Sequence, residues 1–260
     1  MVTLREIGRG CRPSDQAVVR VRWSPIPDAF ETALDPVPTP TSDSSPVAST
    51  SDARVLRKQE RRTAIIDAAA KLFAEHGYTD CDMERVAAST GLAKGTLYLY
   101  FPCKQDLFFA CVDWGMAAMQ RAVMDAVCLP GNALERIGKS IRAYLEFFDQ
   151  NPQFVELIVQ ERASFRGHKR VSYFEHRDEI RVFFRQLYGE LVEEGVFRSD
   201  LPVERLLDSV GAHIYGAMFI SDSVGRTCTF EEQYQAVMQT VFGGILTDAG
   251  RTRFQMGTSG

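Results

Sequence analysis

The sequence lacks the features that would assign it to a membrane, to secretion or to a metal site. No apolar run approaches the roughly 18 residues that a helix needs to cross a bilayer. The N-terminus has no continuous apolar core of the signal-peptide type, so we expect a cytoplasmic protein with no membrane partner. None of the six cysteines is spaced as C-x-x-C, and none of the four histidines lies in a His-x-x-x-His or Glu-x-x-His pair. We therefore expect no metal and no cofactor.

The glycine-rich lead of a phosphate-binding loop is also missing, because only Ala-Lys-Gly-Thr stands at residues 93–96. An enzyme that uses a helical pocket therefore stays a remote alternative. In the cytoplasm the cysteines are expected to be reduced and to fill gaps as small apolar side chains. A redox switch at Cys81, Cys103 or Cys111 is the other interpretation.

Charge is unevenly distributed along the 260 residues, whose formal net charge is −4. Residues 53–105 carry nine basic and six acidic side chains, whereas residues 1–52 and 106–260 are both net acidic. A local positive excess of this kind indicates contact with phosphates. An acidic remainder would keep the rest of the chain away from them.

Composition changes at about residue 52. Residues 1–52 end in a stretch rich in Pro, Ser and Thr and poor in large apolar side chains, which predicts a disordered extension. A basic run follows and precedes the first predicted helix. We expect Arg57, Lys58 and Arg61 in this run to contact phosphates or to reach a minor groove. A solvated charged face is the alternative.

Two short helices joined by a glycine turn are predicted next. Asp82 can cap the first helix, and Gly91 suits the left-handed backbone position at its end. The second helix covers about residues 93–101, with Leu97 facing inward, and Pro102 ends it. This is the helix-turn-helix (HTH) arrangement, in which the second helix lies in the major groove of DNA.

The outward side of the second helix is rich in small, hydroxyl, aromatic and basic side chains. We expect DNA contacts from six residues: Lys94, Gly95, Thr96, Tyr98, Tyr100 and Lys104. A lysine can meet a phosphate or a guanine edge, and a threonine methyl can touch a thymine methyl. Packing is the alternative for either tyrosine taken alone.

Residues 60–108 resemble the DNA-binding domain of the tetracycline-repressor (TetR) family. The matching segments are IIDAAAKLFAEHGY at 65–78, MERVAASTGLAKGTLYLYF at 83–101 and K-x-D-L at 104–107. The resemblance implies an N-terminal three-helix HTH DNA-binding domain over residues 53–108. It also implies that the six residues named above face DNA. Cys81, Ala93 and Cys103 depart from the residues that are common in the family.

The rest of the chain predicts helices throughout, and therefore an all-α protein. Asn132 and Thr229 each precede a glutamate by three residues, which predicts two capping boxes, and Pro152 suits a first helical position. The family resemblance implies that residues 109–250 form a helical bundle for ligand binding and dimerisation. A tail at 251–260 would follow.

Two sets of residues in this bundle are candidates for binding roles. A pocket for a small hydrophobic effector is expected among mostly aromatic side chains: Phe147, Phe154, Glu161, Phe165, Phe184, Tyr188, Tyr215 and Phe219. Small and branched apolar residues on the last two helices predict a four-helix homodimer interface: Gly211, Ile214, Met218, Val237, Val241 and Ile245. Core packing within one chain is the alternative for both sets.

These features together predict a ligand-responsive DNA-binding transcriptional regulator. As a repressor it would bind a palindromic double-stranded DNA operator as a homodimer, and a small-molecule effector would release it. A transcriptional activator, or a DNA-binding protein without an effector, is the alternative.

Overall fold

The computed structural model describes three parts of the chain: residues 50–165, 172–223 and 229–257. All regular elements in these parts are helices, so the predicted all-α class is confirmed. The one β pairing within the described parts is an isolated antiparallel bridge between Phe197 and Leu246. The predicted extension lies outside the described residues up to position 49. The chain divides into two units between Asp67 and Ala68.

The HTH region contains three helices, α1 to α3: Thr50–Asp80, Met83–Ser89 and Lys94–Tyr100. α1 begins earlier than expected, so the basic run lies inside this helix and not ahead of it. Arginine, lysine, glutamine and glutamate favour helical backbone, which explains the longer helix. Near its other end, Gly77 has a φ of +81° and interrupts the helical path.

Seven more helices, α4 to α10, follow in chain order: Lys104–Val127, Ala133–Gln150, Pro152–Ser164, Ser172–Glu193, Val203–Ser223, Phe230–Ile245 and Asp248–Gly257. Both predicted capping boxes are confirmed. Asn132 caps α5 by accepting a hydrogen bond from the Glu135 amide, 2.9 Å away, and Thr229 caps α9 in the same way. Pro152 is the first residue of α6, as predicted.

Most of the predicted tail at 251–260 is helical, because α10 extends to Gly257. Thr247 directly precedes this helix, and its hydroxyl accepts a hydrogen bond from the Gly250 amide at 3.1 Å. The Thr247 amide in turn donates to the Val196 carbonyl at 3.0 Å. A threonine cap is therefore the local signal for this last helix.

α4 is central to the C-terminal bundle and packs against α5, α6 and α7. Its buried side chains include Phe108, Val112, Met116 and Met119. α5 packs in turn against α8 and α9. The helix that follows the HTH region directly is thus the one on which the bundle is assembled.

An aromatic cluster joins the end of α1 to the bundle. The ring centroids of Phe73 and Phe108 are 5.2 Å apart, and those of Tyr78 and Phe165 are 4.8 Å apart. Phe165 also lies 4.7 Å from Phe109 of α4. Aromatic pairs at such distances add about 0.5–1.5 kcal/mol each beyond their buried area. A displacement of α4 or of the end of α6 would therefore also displace the end of α1.

Candidate DNA interface and ligand cavity

The turn between α2 and α3 is built from local hydrogen bonds. The Asp82 carboxylate accepts a hydrogen bond from the Arg85 amide at 2.7 Å, which confirms the predicted cap of α2. Gly91 has the predicted left-handed backbone, with a φ of +66°. The Thr90 hydroxyl donates to the Val86 carbonyl at 2.9 Å and closes the end of α2. These bonds set the direction in which α3 leaves the turn.

α3 is held to the protein by one apolar side. Leu97 is fully buried, and Phe101, directly after the helix, is buried as well. The opposite side is open: Lys94 and Gly95 are exposed, and the Tyr98 side chain is 39% exposed. Thr96 and Tyr100 are partly covered. Five of the six predicted DNA-facing residues therefore lie on α3 with accessible surface.

Leu99 is a further accessible side chain on α3, and it was absent from the predicted set. It is 83% exposed, although a leucine is ordinarily a core residue. Its position was visible in the sequence, because it follows the inward Leu97 by two residues and so projects to the opposite side of the helix. An exposed apolar group at this place can contact a thymine methyl in the major groove.

Lys94 forms an ion pair with Glu84 of α2 across the turn, and both side chains are more than half exposed. The Lys94 ammonium also lies 6.0 Å from the centroid of the Tyr98 ring. An exposed ion pair contributes little to stability, about 0–1 kcal/mol. A phosphate or a guanine edge can therefore replace Glu84 as the partner of this lysine at small cost.

Lys104 is engaged within the protein. Its ammonium donates to the Tyr78 carbonyl at 2.8 Å and to the Thr79 carbonyl at 3.1 Å. It also lies 4.6 Å from the centroid of the Tyr78 ring. The first residue of α4 thus ties that helix to the end of α1. One N–H of the ammonium remains for a phosphate. Lys104 differs from the five predicted residues on α3 because its side chain is bonded to the end of α1.

The predicted basic contacts lie on the first part of α1. Arg57, Lys58 and Arg61 are all exposed there. Arg57 and Arg61 are one helical turn apart and share a side of the helix. Their charge is therefore available to a polyanion.

A cavity of about 100 Å³ lies among α4, α5, α7 and α8. Its wall is mostly apolar and includes the following side chains: Met119, Val123, Ile137, Ile141, Ile180, Phe184, Leu207, Val210 and Ile214. Of the residues predicted for a pocket, Phe184 and Tyr188 lie on this wall. Gly211 and Ile214, which were predicted for the dimer interface, lie on it too.

The other predicted pocket residues lie elsewhere in the bundle. The Phe154 ring stacks 5.8 Å from that of Phe147. Phe165 belongs to the aromatic cluster at the end of α1. Tyr215 and Phe219 pack ring to ring at 4.8 Å on α8. The sequence showed that these aromatic residues were on the bundle helices, but not which helix faces meet around the space.

Three tyrosines lie on the cavity wall, together with the polar side chains of Ser140, Arg177 and Arg181. Tyr144 and Tyr173 share a hydrogen bond of 2.8 Å between their hydroxyls, and both rings are buried. Tyr188 is 2% exposed and lies on the same wall. Burial raises the pKa of Tyr173 to about 12 and that of Tyr188 further still, so both hydroxyls keep their protons. Tyr144 and Tyr173 were not among the predicted pocket residues.

A pair of α6 side chains links the region of the cavity to α1. Glu161, another predicted pocket residue, accepts hydrogen bonds from the Ser172 amide and hydroxyl, at 3.0 and 2.9 Å. Ser172 directly precedes Tyr173 of the cavity wall. The neighbouring Gln160 amide donates to the Phe73 carbonyl of α1 at 2.8 Å. The start of α7 and the end of α1 are therefore bonded to adjacent residues of one helix.

Four of the predicted dimer residues are covered within a single chain. Met218, Val237, Val241 and Ile245 are all buried. The exposed side of α9 carries instead small and polar residues, such as Gln239, Thr240, Gly243 and Gly244. No atom of another element lies within 4 Å of a Cβ built on Gly243 or Gly244.

Cys81 and Cys111 are fully buried, and desolvation raises the pKa of the Cys81 thiol, which disfavours the reactive thiolate. Cys103 is exposed, and its sulfur accepts a hydrogen bond from the Asp106 amide at 3.4 Å as the cap of α4. In the described ranges, no helix is both long and apolar enough to span a bilayer. No three metal-binding side chains are grouped there either.

Comparison with known proteins gives a match for the HTH region and another for the C-terminal bundle. Residues 65–111 match the family described as bacterial regulatory proteins, tetR family, and residues 130–214 match the tetracyclin repressor-like C-terminal domain. The two matches cover slightly more than half of the chain.

The relatives are transcriptional regulators. The repressor KstR2 of Mycobacterium tuberculosis is 28% identical over 193 residues, which are 71% of this chain and 92% of that protein. The repressor AcnR of Corynebacterium glutamicum is 26% identical over 147 residues, 56% of this chain and 73% of that protein. The fatty acid degradation regulator FadR from Bacillus halodurans shares the fold, with a TM-score of 0.63 and 20% identity over 71% of this chain and 95% of that one. The chain therefore belongs to the tetR family of bacterial regulatory proteins and is a DNA-binding transcriptional regulator.

Proposed function

We propose that the protein is a repressor that binds a palindromic operator as a homodimer and is released when a small, mostly apolar molecule fills the cavity. The observation that carries the proposal is α3, whose apolar side is buried while Lys94, Tyr98 and Leu99 are accessible. The sign of regulation is supported by the curated relatives KstR2 and AcnR, both of which are transcriptional repressors.

In this proposal α3 enters the major groove. Lys94 leaves Glu84 for a phosphate or a guanine edge, Tyr98 contacts the groove through its ring and hydroxyl, and Leu99 meets a thymine methyl. Arg57, Lys58 and Arg61 add contacts to phosphates. These contacts supply the salt-dependent part of the affinity.

Two copies are needed because a palindrome presents two half-sites about one helical turn apart. The exposed sides of α8 and α9 support a homodimer. Gly243 and Gly244 leave the α9 backbone open, so a partner helix can approach it closely. The buried Val237 and Val241 form the core beneath this surface.

Release by an effector requires that the cavity and α3 influence one another. The hydrogen bond that the Ser172 amide donates to Glu161 supports such an influence, and so does the one that Gln160 donates to the Phe73 carbonyl. The aromatic cluster around Phe165 supports it as well. A coupling free energy of about 1–3 kcal/mol would change operator affinity about 5- to 150-fold. A change of operator affinity in that range is sufficient for an effector to release the protein from DNA.

The test begins with selection of the bound sequence from random DNA, followed by footprinting. We expect Lys94→Ala and Tyr98→Ala to lose specific protection of the selected site and to remain folded dimers. Lys139→Ala is the matched control, because Lys139 lies on α5 and donates to the Pro130 carbonyl at 2.6 Å. Full protection by both α3 variants would refute the proposed interface.

The sign of regulation needs a separate measurement. A reporter gene behind the selected operator should be expressed less when the protein is present, and the Tyr98→Ala variant should restore its expression. Higher expression with the wild-type protein would instead identify an activator.

A further inference from the structure

We propose that the cavity selects a small neutral molecule with an acceptor oxygen, such as a cyclic ketone, which takes a hydrogen bond from the Tyr188 hydroxyl. A carboxylate of similar shape would be rejected. This inference rests on the proposed role of the cavity as the effector site, and it adds the chemical class of the ligand.

The Tyr188 hydroxyl is a donor placed to bind such an oxygen. Its side chain is 2% exposed and lies on the cavity wall. Its ring packs 5.1 Å from that of Phe197. Among the residues that the structure describes, none makes a hydrogen bond with this hydroxyl. Buried polar groups are rarely left without a partner, so an unused donor on a cavity wall indicates a ligand acceptor.

The Tyr144–Tyr173 pair offers a second polar point on the same wall. The two hydroxyls are 2.8 Å apart, and the Tyr144 hydroxyl is also 3.5 Å from the Met218 sulfur. One hydroxyl proton is used within the pair. Since either oxygen can act as the donor, the pair can adapt to a ligand group that donates or accepts.

The charges around the cavity disfavour an anion. Arg181 is already paired with Glu204 and Asp208, at 2.7 and 2.6 Å. Hydrogen bonds from Arg185 and Arg181 lower the pKa of Glu204 to about 2, so this carboxylate stays ionised and keeps its arginines. Arg177 pairs with Asp178 at 2.8 Å. A ligand carboxylate would therefore be desolvated, and it would have to displace Asp178 from Arg177, or Glu204 and Asp208 from Arg181, before it met a cation.

The size of the space limits the ligand further. The cavity measures about 100 Å³, and an apolar cavity of about 150 Å³ is known to hold a benzene ring. Because the present cavity is smaller than that one, a single six-membered ring is the upper limit for the rigid part of the ligand. Ile141, Phe184 and Ile214 would surround its apolar part.

The experiment measures binding of three six-membered ring probes to the full chain by calorimetry, without DNA. Cyclohexanone carries the acceptor oxygen, methylenecyclohexane replaces it with an apolar group of the same shape, and cyclohexanecarboxylate adds a charge. Each is tested on the wild type and on Tyr188→Phe, which keeps the ring and removes the hydroxyl. Tyr234→Phe is the matched control, because the Tyr234 hydroxyl lies 3.4 Å from the Gly138 carbonyl and away from the cavity wall.

We expect Tyr188→Phe to weaken cyclohexanone binding by roughly 5- to 10-fold, the value of one neutral hydrogen bond. Binding of methylenecyclohexane should change less than about twofold by the same reasoning. Tyr234→Phe should bind all probes as the wild type does. Equal loss for both neutral probes, no loss of ketone binding, tighter binding of the carboxylate, or no ketone binding at all would each overturn the inference. Footprinting without any ligand tests the proposed function independently, so the two failures can be told apart.

Discussion

At the scale of single residues, Gly115 shows how closely α4 and α6 approach. A Cβ at this position would lie 2.3 Å from Cδ1 of the Phe154 ring, closer than any real contact. The ring is buried against Trp114 and Phe147, so it has little room to move aside. The absence of a side chain at Gly115 is therefore a condition of this packing.

We predict that Gly115→Ala lowers the free energy of unfolding by about 1–3 kcal/mol, the usual cost of overpacking a core. Gly189→Ala on α7 is the control, because no other element lies within 4 Å of its built Cβ. That variant should be neutral or stabilised by about 0.5–1 kcal/mol, since alanine favours a helix interior. Urea denaturation measures both, and an undiminished stability of Gly115→Ala would contradict the packing.

His176 is a second residue whose contribution to stability can be measured, because that contribution depends on pH. Its ring bonds to Asp113 and Gln120 of α4, each at 2.8 Å. Burial lowers the pKa of His176, whereas the hydrogen bond and charge of Asp113 and the nearby Glu179 and Glu175 raise it. The net result is a pKa above the ordinary value for histidine. A raised folded-state pKa means that the protonated histidine stabilises the fold.

This contribution is fully present below the unfolded pKa of about 6.5 and is lost as the pH rises through the folded pKa. We therefore predict that His176→Gln costs more stability at pH 5.5 than at pH 8. Urea denaturation of both proteins at the two pH values gives the difference directly. The same loss at both values would show that His176 packs without titrating.

At the scale of helices, α2 and α3 differ in how they begin. Asp82 caps α2 with its side chain, whereas Ala93 at the start of α3 has no side chain that can accept a hydrogen bond. Ala93 nevertheless has the extended backbone of a capping residue, with φ −65° and ψ 142°. The departure from the family pattern at this position therefore leaves the seven-residue α3 without a side-chain cap.

We predict that Ala93→Ser raises the free energy of unfolding by about 0.5–2 kcal/mol, because a serine hydroxyl can accept a bond from an amide in the first turn. Asp82→Ala should lower it by a similar amount. Thermal denaturation of the two variants provides the comparison. A change of the same sign in both would show that capping does not limit this region.

The start of α1 was less predictable than its neighbours. Its basic run was expected to precede the helix, but α1 begins at Thr50 and includes the run. A cluster of basic charge identifies such a segment as exposed, but it does not distinguish a helix from an extended arm. The predicted contacts of Arg57, Lys58 and Arg61 with DNA stay a prediction, now from a helix and not from an extended arm.

At the scale of the whole molecule, the exposed glycines of α9 provide a test of the proposed homodimer. We predict that Gly244→Arg shifts the protein to a monomer in sedimentation velocity experiments and weakens operator binding, because the side chain would occupy the space of the partner helix. Arginine favours a helix interior more than glycine does, so the single chain should stay folded.

Gly189→Arg is the matched control for this dimer test. Its built Cβ is equally free of other elements, but it lies on α7. This variant should remain a dimer with unchanged operator affinity. A dimeric Gly244→Arg variant would place the interface elsewhere on the chain.

The sequence by itself determined the all-α class, several helix boundaries and the outward side of α3. These features depend on local signals, namely the caps at Asp82, Asn132 and Thr229, the glycine at position 91, and helical spacing around Leu97. Such signals act within a few residues of the chain, so they can be recognised in the sequence before the fold is known.

Only the tertiary structure decided which side chains meet. It joined Lys104 to the carbonyls of Tyr78 and Thr79, placed Phe165 beside the HTH region, and set Tyr144, Tyr173 and Tyr188 around one cavity. The residues that meet in each case are far apart in the sequence. Aromatic residues on several bundle helices satisfy the same apolar pattern. Which of them line a space depends on how the helices are oriented against one another, and that orientation is set by the packing of all of them together.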